Sequence, residues 1–500
     1  MASITRNLDQ VCREAYDLII IGGGIYGSMS LLEASRAGLK AILLEKNDFG
    51  WQTSFNSLRI IHGGLRYLQT MHFSRLYESV TERSWFLRSF PDLVRPLPCL
   101  MPLYRNLTKN RLTLRAALRL NDWLTRNRNE GLPPEFQIPD GQIIGAAETS
   151  RLFPLARSNG LRGGALWYDA VMPDSNRLLM EVLRWSACAG GTSVNYVEAT
   201  ELLRSDGMVR GVIAKDVLTG SDHEIEAPLV VNAAGPECRA VAQRFSEDDP
   251  TLFRPSLAWN VLLDRAPLSD GAVAVQAPTG NSQMYFAHSL GGRLFVGTGH
   301  SPVHDNTVSG PTEDGVSAML ADINRAIPGL DAQQADIKRI FWGLLPAKRP
   351  GSIELASDNV ILDHGQKGGP KGLFSVSGVK FTTARSAARR LVSSMTGMVT
   401  GSDNAGLPDR PAPAKYDLHP DKCGERAERI RRAREIIDNE APNSLVDLLI
   451  RRCNLVGDPD TALSIAPDCC SAFDWSADES ISQIADLAEF LKAEWRPMPN

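Results

Sequence analysis

The sequence predicts an α/β fold of three parts: a parallel sheet covered by helices, an antiparallel sheet, and a C-terminal domain made of helices alone. Three observations support this prediction. A glycine-rich turn joins a short apolar run to a helical segment near the N-terminus, short apolar runs alternate with Gly, Pro and Asn between about Leu252 and Thr298, and helical patterns follow Pro420. The length of 500 residues agrees with this division, because domains contain about 150 residues on average.

The first part begins with a strand–helix–strand unit. Asp17–Ile21 is a short apolar run, which is typical of a strand buried in a parallel sheet. Ile25–Ala37 has helical character and Gly38 ends it, and Lys40–Leu44 is a second apolar strand followed by Glu45. This order predicts two parallel strands joined by a helix that packs on the sheet.

Further elements are predicted along the chain. Ile213–Lys215 and Glu224–Asn232 flank the turn signal Thr219-Gly220 and predict a hairpin. The segment Ser402–Pro413 is rich in Pro, Gly and Asp and predicts a linker before the C-terminal helices. Helices are predicted at Ser74–Phe90, Asn176–Ala189, Ser317–Ile327 and Thr382–Met395.

Composition restricts the class of protein. Hydrophobic residues make up 43% of the chain and charged residues 22%, as in ordinary globular proteins. The net charge of −4 argues against nucleic acid as the main partner, because phosphate binding needs a basic surface. The eight cysteines are scattered without a C-x-x-C pair, so we expect reduced thiols, although the adjacent Cys469 and Cys470 leave a redox role open. No metal site is predicted.

The sequence also bears on location. The N-terminal residues 1–16 carry charges and no apolar stretch of signal-peptide length. No run of about 18 apolar residues appears, so we expect no transmembrane helix and a cytoplasmic protein. Peripheral contact with the inner face of the membrane stays open.

A nucleotide-binding motif lies at the first turn. Gly22, Gly24 and Gly27 form a G-x-G-x-x-G pattern between strand and helix. The first glycine permits the tight turn, the second lets the backbone approach a pyrophosphate, and the third lets helix and sheet pack closely. Glu45, at the end of the second strand, is placed to accept hydrogen bonds from ribose hydroxyls. The arrangement predicts a dinucleotide site, with a glycine-rich turn in an unrelated α/β protein as the alternative, and does not separate FAD from NAD.

The segment that follows resembles a known family. Residues 53–67 read T-S-F-N-S-L-R-I-I-H-G-G-L-R-Y. This string is similar to the T-S-x-x-S-S-K-L-I-H-G-G-x-R-Y segment of the FAD-dependent glycerol-3-phosphate dehydrogenases, members of the D-amino-acid-oxidase-like flavoprotein superfamily. The H-G-G-x-R-Y part is specific, because it is long and has no obvious packing reason in the sequence.

Three further segments carry the same resemblance, which extends over about residues 17–475. Val230–Pro236 resembles the second flavin motif of the superfamily, although Glu237 stands where the family usually has Trp. Ser377–Arg385 resembles the family's G-G-K-L-T-T-x-R turn into a helix, and Leu445–Arg452 resembles part of its C-terminal helical domain.

The resemblance implies a Rossmann-like FAD-binding domain, an antiparallel-sheet substrate domain and a C-terminal all-helical domain. The oxidoreductase unit would cover residues 14–400 and the helical domain residues 414–500. The FAD-binding part would comprise residues 14–100, 165–240 and 345–400, and the substrate part residues 101–164 and 241–344.

The resemblance also implies the residues that hold FAD. Ser54 and Ser57 would bind the pyrophosphate and ribityl chain, unless they only shape a turn. The helix start at Thr382 would place partial positive charge at the N1/C2=O edge of the flavin and Lys380 would add a full charge, unless Lys380 is an ordinary surface residue. The full set is Gly22, Gly23, Gly24, Gly27, Glu45, Thr53, Ser54, Ser57, His62, Val197, Ala234, Gly235, Gly378, Lys380, Phe381 and Thr382.

On the substrate side the family suggests roles for several polar residues. Arg66 would face the substrate over the flavin, or is simply exposed. His62 either packs beside the flavin or acts as a base, and both readings stay open. The expected catalytic residues are Arg66, His62, Asn260 and Lys380. The expected substrate contacts are Arg66, Tyr67, Asn260, Lys348 and Arg349.

The sequence departs from the family on this side. Leu345, in W-G-L-L-P, stands where the family has the arginine of S-G-V-R-P, and Ser357 aligns with a second family arginine. Asn260 aligns with a family histidine, and Asn cannot act as a general base. Lys348 and Arg349 follow Leu345, so they either restore a cation to the pocket or are solvated.

These features favour a dehydrogenase that oxidises a polyol, a polyol phosphate or a related hydroxyl compound and passes electrons to a quinone, another acceptor or oxygen. An amine or amino-acid oxidase is the first alternative, because Arg66 could clamp a carboxylate. A flavin-binding protein without turnover is the second.

A basic segment lies between residues 105 and 128. Leucines and Trp123 interleave with the cations, so the segment predicts peripheral contact with an anionic membrane. A solvated helix, or one that faces an anionic substrate entrance, is the alternative. The basic residues, set against Asp122, are Arg105, Lys109, Arg111, Arg115, Arg119, Arg126 and Arg128.

Overall fold

The protein is described by a computed structural model that covers residues 3–104, 111–278, 283–303, 308–397, 406–414 and 416–493. Arg105 and Lys109 of the basic segment, part of the predicted linker, and the last seven residues of the predicted C-terminal domain lie outside the described residues.

The strands define the architecture. In chain order, β1 to β18 are Leu18–Ile21, Ala41–Glu45, Ile60–Ile61, Arg95–Tyr104, Gln142–Ile144, Leu161–Val171, Thr192–Asn195, Val197–Ser205, Met208–Asp216, Asp222–Glu226, Leu229–Asn232, Pro255–Leu263, Ala272–Gln276, Met284–Leu290, Arg293–Pro302, Ile337–Pro346, Val360–Asp363 and Leu373–Ser377.

The helices cover the sheets and form the C-terminal region. In chain order, α1 to α13 are Leu8–Val11, Ile25–Arg36, Arg66–Gln69, Phe73–Ser89, Arg111–Leu124, Ala146–Leu152, Ser175–Cys188, Cys238–Arg244, Glu313–Ala326, Ala384–Thr396, Arg426–Glu440, Pro459–Cys470 and Ala477–Ala493. A π-helical segment, Val446–Arg452, lies between α11 and α12.

A six-stranded sheet has the order β17-β18-β11-β1-β2-β7. Its strands are parallel except β17, which pairs antiparallel with β18. Every residue of β1 is buried, as expected for a wholly apolar strand in the middle of a sheet with helices on its faces. Because parallel strands end at one edge, Gly22 after β1 and Glu45 at the end of β2 lie side by side with Ala233 after β11. This arrangement confirms the predicted Rossmann-like part.

A nine-stranded sheet forms the second part. Its main order is β16-β12-β15-β14-β13-β4-β6-β3, and β5 pairs with β6. All pairs are antiparallel except β4 with β13. Val316 and Ile323 of helix α9 lie in one buried hydrophobic cluster with Trp259 of this sheet. The predicted antiparallel sheet is therefore present.

Two of the predicted boundaries between the FAD-binding part and the substrate part fall inside strands. The predicted boundaries at residues 100/101 and 164/165 fall inside β4 and β6, which pair with each other from Arg95 to Tyr104. A strand belongs to one sheet along its whole paired length, so both strands belong with the antiparallel sheet.

A small third sheet, β8-β9-β10, contains the predicted hairpin. The prediction that Glu224–Asn232 is one strand is wrong, because β10 ends at Glu226 and β11 joins the parallel sheet from Leu229. Pro228 stands between them and has no N–H to continue a strand ladder. The chain leaves one sheet and enters another at this residue.

The C-terminal helices share a hydrophobic core with the antiparallel sheet. Leu445 and Leu449 lie in one buried cluster with Phe55, Phe295 and Phe341. Burial raises the pKa of Cys469 to about 12, so this thiol stays protonated at neutral pH. Among the residues described, no helix is long and apolar enough to cross a membrane.

Candidate active site

A cavity lies at the carboxyl edge of the parallel sheet and extends to the antiparallel sheet. It brings together segments that are hundreds of residues apart. Most of the predicted cofactor residues line it. These are Gly22, Gly24, Glu45, Thr53, Ser54, Ser57, His62, Val197, Ala234, Gly235, Gly378, Lys380, Phe381 and Thr382, joined by Asn260 from the predicted substrate side.

The glycine turn after β1 forms one wall. Gly22 has φ +104°, a conformation that favours glycine, and a Cβ there would lie 2.8 Å from the Ala233 carbonyl oxygen. A Cβ on Gly27 would overlap the Gly22 carbonyl oxygen, so α2 packs close to its strand only with glycine here. A Cβ on Gly24 would meet only Ser54 Oγ, at 3.3 Å. Gly24 is thus open towards the cavity, where the motif needs room for a pyrophosphate.

Glu45 is held in place at this wall. One carboxylate oxygen accepts a hydrogen bond from the Gly23 N–H at 2.6 Å and the other from the Asn47 N–H at 2.8 Å. Burial raises the pKa of Glu45 above its usual value. Each oxygen keeps a second lone pair, so the carboxylate is fixed and can still accept bonds from ribose hydroxyls.

The segment after Glu45 supplies hydroxyls and an amide. Ser54 Oγ accepts a hydrogen bond from the N–H of Ile25, at the start of α2, at 3.0 Å. Ser57 Oγ and Asn56 Oδ1 are buried and bond to no other atom in the described part of the chain. Buried polar atoms are rarely left without partners. Two such atoms on the wall of this cavity therefore fit a bound molecule with hydroxyl and phosphate groups, such as FAD.

Lys380 and Thr382 lie at the other wall, before α10. The helix begins at Ala384 with Thr383 as its N-cap, so the predicted start at Thr382 is two residues early. Lys380 Nζ bonds the Tyr67 hydroxyl and lies 4.1 Å from the centre of that ring. Tyr67 itself lines a neighbouring polar cavity, which Lys380 also reaches.

His62 faces the cavity and has a partner that the sequence did not suggest. Its Nδ1 lies 3.1 Å from Oδ2 of Asp169, a buried residue of β6, and its ring packs edge-on against Phe286. Asp169 is 107 residues away in a segment without a recognisable motif. Only the pairing of β6 with β3 and β4 brings it to His62.

Asn260 lies on β12 and both ends of its amide are engaged. Its Nδ2 donates to the Asn56 carbonyl at 3.1 Å, and its Oδ1 accepts from Thr298 Oγ1 at 3.0 Å. Thr298 lines the cavity and was not predicted. Asn260 and Thr298 therefore form a fixed polar pair that can orient a substrate but cannot remove its proton.

Arg66 does not line the cavity. It is exposed at the start of α3. His300, on β15, was not predicted as a site residue. The charge of Arg66 affects the pKa of this histidine. Burial, followed by the charge of Arg66, lowers the pKa of His300 to about 4, so this imidazole is neutral at pH 7.

Of the residues at or near the positions of the missing family arginines, some line the cavity and others lie outside it. Leu345 lines the cavity, so an apolar side chain occupies the position where the family has a cation. Lys348 and Arg349 lie outside and pair with Glu354, at 2.8 Å and 3.7 Å, with side chains 56% and 75% exposed. The structure therefore does not bring these two cations to the site. Ser357 lines the neighbouring polar cavity.

The charges of that second cavity are paired. Arg75 bonds both carboxylate oxygens of Asp358 at 2.7 Å, and Arg390 bonds Glu78 at 2.8 Å. An anion that entered this cavity would have to compete with these carboxylates.

Known proteins resemble this chain over most of its length. A family model described as FAD dependent oxidoreductase (DAO) matches residues 17–393. The glycerol-3-phosphate dehydrogenase of Synechocystis is 28% identical over 418 residues, which are 79% of this chain and 73% of the relative. The aerobic glycerol-3-phosphate dehydrogenase of Bacillus subtilis is 29% identical over 396 residues, which are 77% of this chain and 68% of the relative.

The fold is also found among solved structures. The crystal structure of the glycerol-3-phosphate dehydrogenase from Bacillus halodurans complexed with FAD superposes with a TM-score of 0.73. It is 21% identical, and the match covers 100% of this chain and 99% of that one. The similarity therefore includes the C-terminal helices.

Proposed function

This chain belongs to the family of FAD-dependent oxidoreductases, and from that membership we propose that it oxidises a CH–OH group of a polyol, a polyol phosphate or a related compound. The observation that carries the proposal is the placement of His62. Its imidazole, held by a buried carboxylate, and the Asn260–Thr298 pair line the same cavity as the glycine turn and Glu45. The relatives named as glycerol-3-phosphate dehydrogenases support a hydroxyl substrate.

The cofactor residues divide by the part of FAD that they suit. The glycine turn and the start of α2 offer N–H groups and open space to the pyrophosphate. Glu45 suits ribose hydroxyls, and the orphaned Ser57 hydroxyl and Asn56 amide oxygen suit the ribityl chain. Lys380 adds positive charge at the wall formed by residues 378–382. FAD, when bound, supplies the hydride acceptor.

The chain's own residues must then take the proton of the substrate hydroxyl. His62 is the cavity residue suited to this, because the lone pair of a neutral imidazole nitrogen can accept a proton. Asn260 and Thr298 would fix the hydroxyl by hydrogen bonds while His62 accepts its proton.

The electron acceptor and the membrane contact belong to the same proposal. Helix α5 exposes Leu112 and Trp123 beside Arg115 and Arg119. A basic amphipathic helix of this kind binds an anionic bilayer surface. We infer that the protein docks there and passes its electrons to a quinone in the bilayer.

A dye-reduction assay tests the proposed reaction. The purified protein with FAD is mixed with an artificial electron acceptor and with polyols, polyol phosphates, hydroxy acids or amino acids. We expect turnover with a hydroxyl compound and a large loss of the rate in His62→Gln. Turnover with amino acids alone would support the amine-oxidase alternative, and no turnover with any class would support a flavoprotein without catalysis.

A further inference from the structure

Asp169 is buried and collects several donors at one carboxylate. Its Oδ1 accepts the Gly63 N–H at 2.6 Å, and its Oδ2 lies 3.1 Å from His62 Nδ1 and 3.4 Å from Trp167 Nε1. The Arg83 guanidinium lies 3.5 Å from Oδ1, and both side chains are 5% exposed. A buried carboxylate is stable only when it is paired and hydrogen-bonded in this way.

The charge state of Asp169 follows from these contacts. Burial opposes ionisation, but the hydrogen bond and charge of His62, with Arg83 and the Gly63 N–H, hold the pKa of Asp169 below its usual value. The carboxylate is therefore ionised at neutral pH and can only accept hydrogen bonds. His62 therefore carries a hydrogen on Nδ1 in its charged and its neutral form alike, and the neutral form has its lone pair on Nε2.

The two glycines after His62 have a physical explanation in the same cluster. A Cβ on Gly63 would overlap the Arg83 guanidinium. Gly64 has φ +80°, and a Cβ there would lie 2.9 Å from Ser79 Cβ. Gly63 therefore allows the chain after His62 to lie directly against Arg83, and Gly64 allows it to lie against Ser79 of the same helix, α4.

We propose that Asp169, supported by Arg83, is a positioning residue that fixes His62 with Nε2 as the proton acceptor of the reaction. The inference rests on the proposed function, in which His62 takes the hydroxyl proton. In the step, the O–H proton moves to His62 Nε2, the hydride of the same carbon leaves to FAD, and the carbinol becomes a carbonyl. The Asp169 carboxylate then stabilises the imidazolium that has formed.

The test compares Asp169→Asn, His62→Gln and the double variant by stopped-flow absorbance of the flavin. The substrate is the fastest of glycerol, glycerol 3-phosphate and xylitol. We expect Asp169→Asn to slow flavin reduction about 100-fold or more at saturating substrate, with FAD content and KM little changed, as when the carboxylate behind a catalytic histidine is replaced. The double variant should be no slower than His62→Gln alone.

Two further measurements keep the test decisive. Nitrogen NMR of ¹⁵N-histidine protein should show His62 with hydrogen on Nδ1 and an altered tautomer signal in Asp169→Asn, whether or not a substrate turns over. Asp169→Glu, which restores a carboxylate, should recover part of the rate if Asp169→Asn loses FAD. Asp174→Asn is the matched control, because Asp174 is a half-buried acid whose N-cap role Asn can replace, and we expect no change in its rate.

The outcomes separate the two proposals. A wild-type rate in His62→Gln would refute the proton-acceptor role in the proposed function, and the positioning role with it. A slow His62→Gln beside a fast Asp169→Asn, or an Asp169→Asn effect that persists fully in the His62→Gln background, would refute the positioning role alone.

Discussion

Gly24 is the residue at which the cofactor site can be tested without disturbing the fold. Its Cβ position meets no protein atom closer than Ser54 Oγ, at 3.3 Å. Gly24→Val should therefore fold but lose FAD, because the side chain would occupy the place of the pyrophosphate. Flavin absorbance after addition of FAD, with circular dichroism as the check of folding, measures both effects. Gly145→Val, at a helix N-cap with open space, is the control, and a fully loaded Gly24→Val would contradict the assignment.

A second prediction at the residue scale concerns Asp447 and the pH dependence of the protein's stability. Burial, followed by repulsion from Asp48, raises its pKa to about 6, although Arg452, the Asn443 N–H and Arg451 act in the opposite direction. The folded protein thus binds more protons than the unfolded chain between the ordinary value of 3.8 and about 6. The contribution of Asp447 to the free energy of unfolding therefore falls as the pH rises through this range.

Thermal unfolding at pH 4.5 and pH 8 tests this effect. Asn at position 447 has no charge to desolvate and its carbonyl can still accept the hydrogen bonds from Tyr196 and Asn443. Asp447→Asn should therefore raise the melting temperature more at pH 8 than at pH 4.5. Asp478→Asn, an exposed change in α13, should show no such difference. An equal effect of Asp447→Asn at both pH values would refute the prediction.

The residues that sequence reasoning found and missed differ in how far apart they are along the chain. Gly22, Gly27 and Glu45 lie within one strand–helix–strand unit, so their spacing alone indicated how they meet. Asp169 reaches His62 across 107 residues and Thr298 reaches Asn260 across 38 residues, in both cases through strand pairing. No local pattern records such a contact, which is why neither was predicted.

At the scale of elements, the predictions from sequence were most accurate for long helices, where the periodic pattern of apolar residues extends over many residues. The predicted helices at 74–90 and 176–189 differ from α4 and α7 by one residue at each end. The prediction failed for 224–232, where two strands of different sheets follow each other across Pro228. Both strands have the same period, so hydrophobic alternation could not reveal that the chain changes sheets.

Helix α5 carries the membrane prediction. Leu112 and Trp123 are 76% and 62% exposed, whereas Leu118 is buried beneath the helix. We expect the protein to float with vesicles that contain anionic phospholipid at low salt, and to do so less at high salt, where the basic side chains are screened. Flotation through a density gradient measures this.

Matched variants distinguish membrane binding through α5 from nonspecific binding by exposed apolar side chains. Leu112→Ser with Trp123→Ser should abolish flotation, because the two exposed apolar side chains that would enter the bilayer surface are lost. Ile481→Ser removes a side chain that is 67% exposed in α13 and should have no effect. If the native protein stays in the soluble fraction at low salt, the helix is a solvated basic surface and the proposed docking is wrong.

At the scale of the whole molecule, the C-terminal helices support the cofactor site. Arg452 bonds both oxygens of Asp48 at 2.6 Å and 2.8 Å, and neither side chain is exposed. Asp48 follows Glu45 by three residues, so this pair holds the loop directly after the carboxylate that we propose to bind the ribose. Breaking a buried pair of this kind costs about 3–5 kcal/mol. The sequence predicted the helices but could not show this packing.

A prediction at the scale of the whole molecule concerns the charges around the cavity and the choice of substrate. A phosphate dianion that leaves water needs cations around it. Leu345 and Ser357 stand where the family has arginines, and Lys348 and Arg349 pair with Glu354 outside the cavity. The cations that line the cavity already have partners in the protein. Lys46 pairs with Glu237 and Arg244 with Glu198, Arg59 donates to the Pro173 carbonyl, and Lys380 Nζ bonds the Tyr67 hydroxyl.

We therefore expect glycerol 3-phosphate to be a poor substrate. Charged hydrogen bonds contribute about 1.5–3 kcal/mol each, so the loss of two should weaken binding by about two to four decades. Dye reduction by glycerol 3-phosphate, compared with uncharged polyols and hydroxy acids, measures this preference. Leu345→Arg should shift activity towards the phosphate ester, whereas Ile353→Arg, which adds the same charge outside the cavity, should not. An efficiency with glycerol 3-phosphate of about 10⁴ M⁻¹s⁻¹ or more, above that of every other compound, would show that Lys380 and the groups around it suffice for the phosphate.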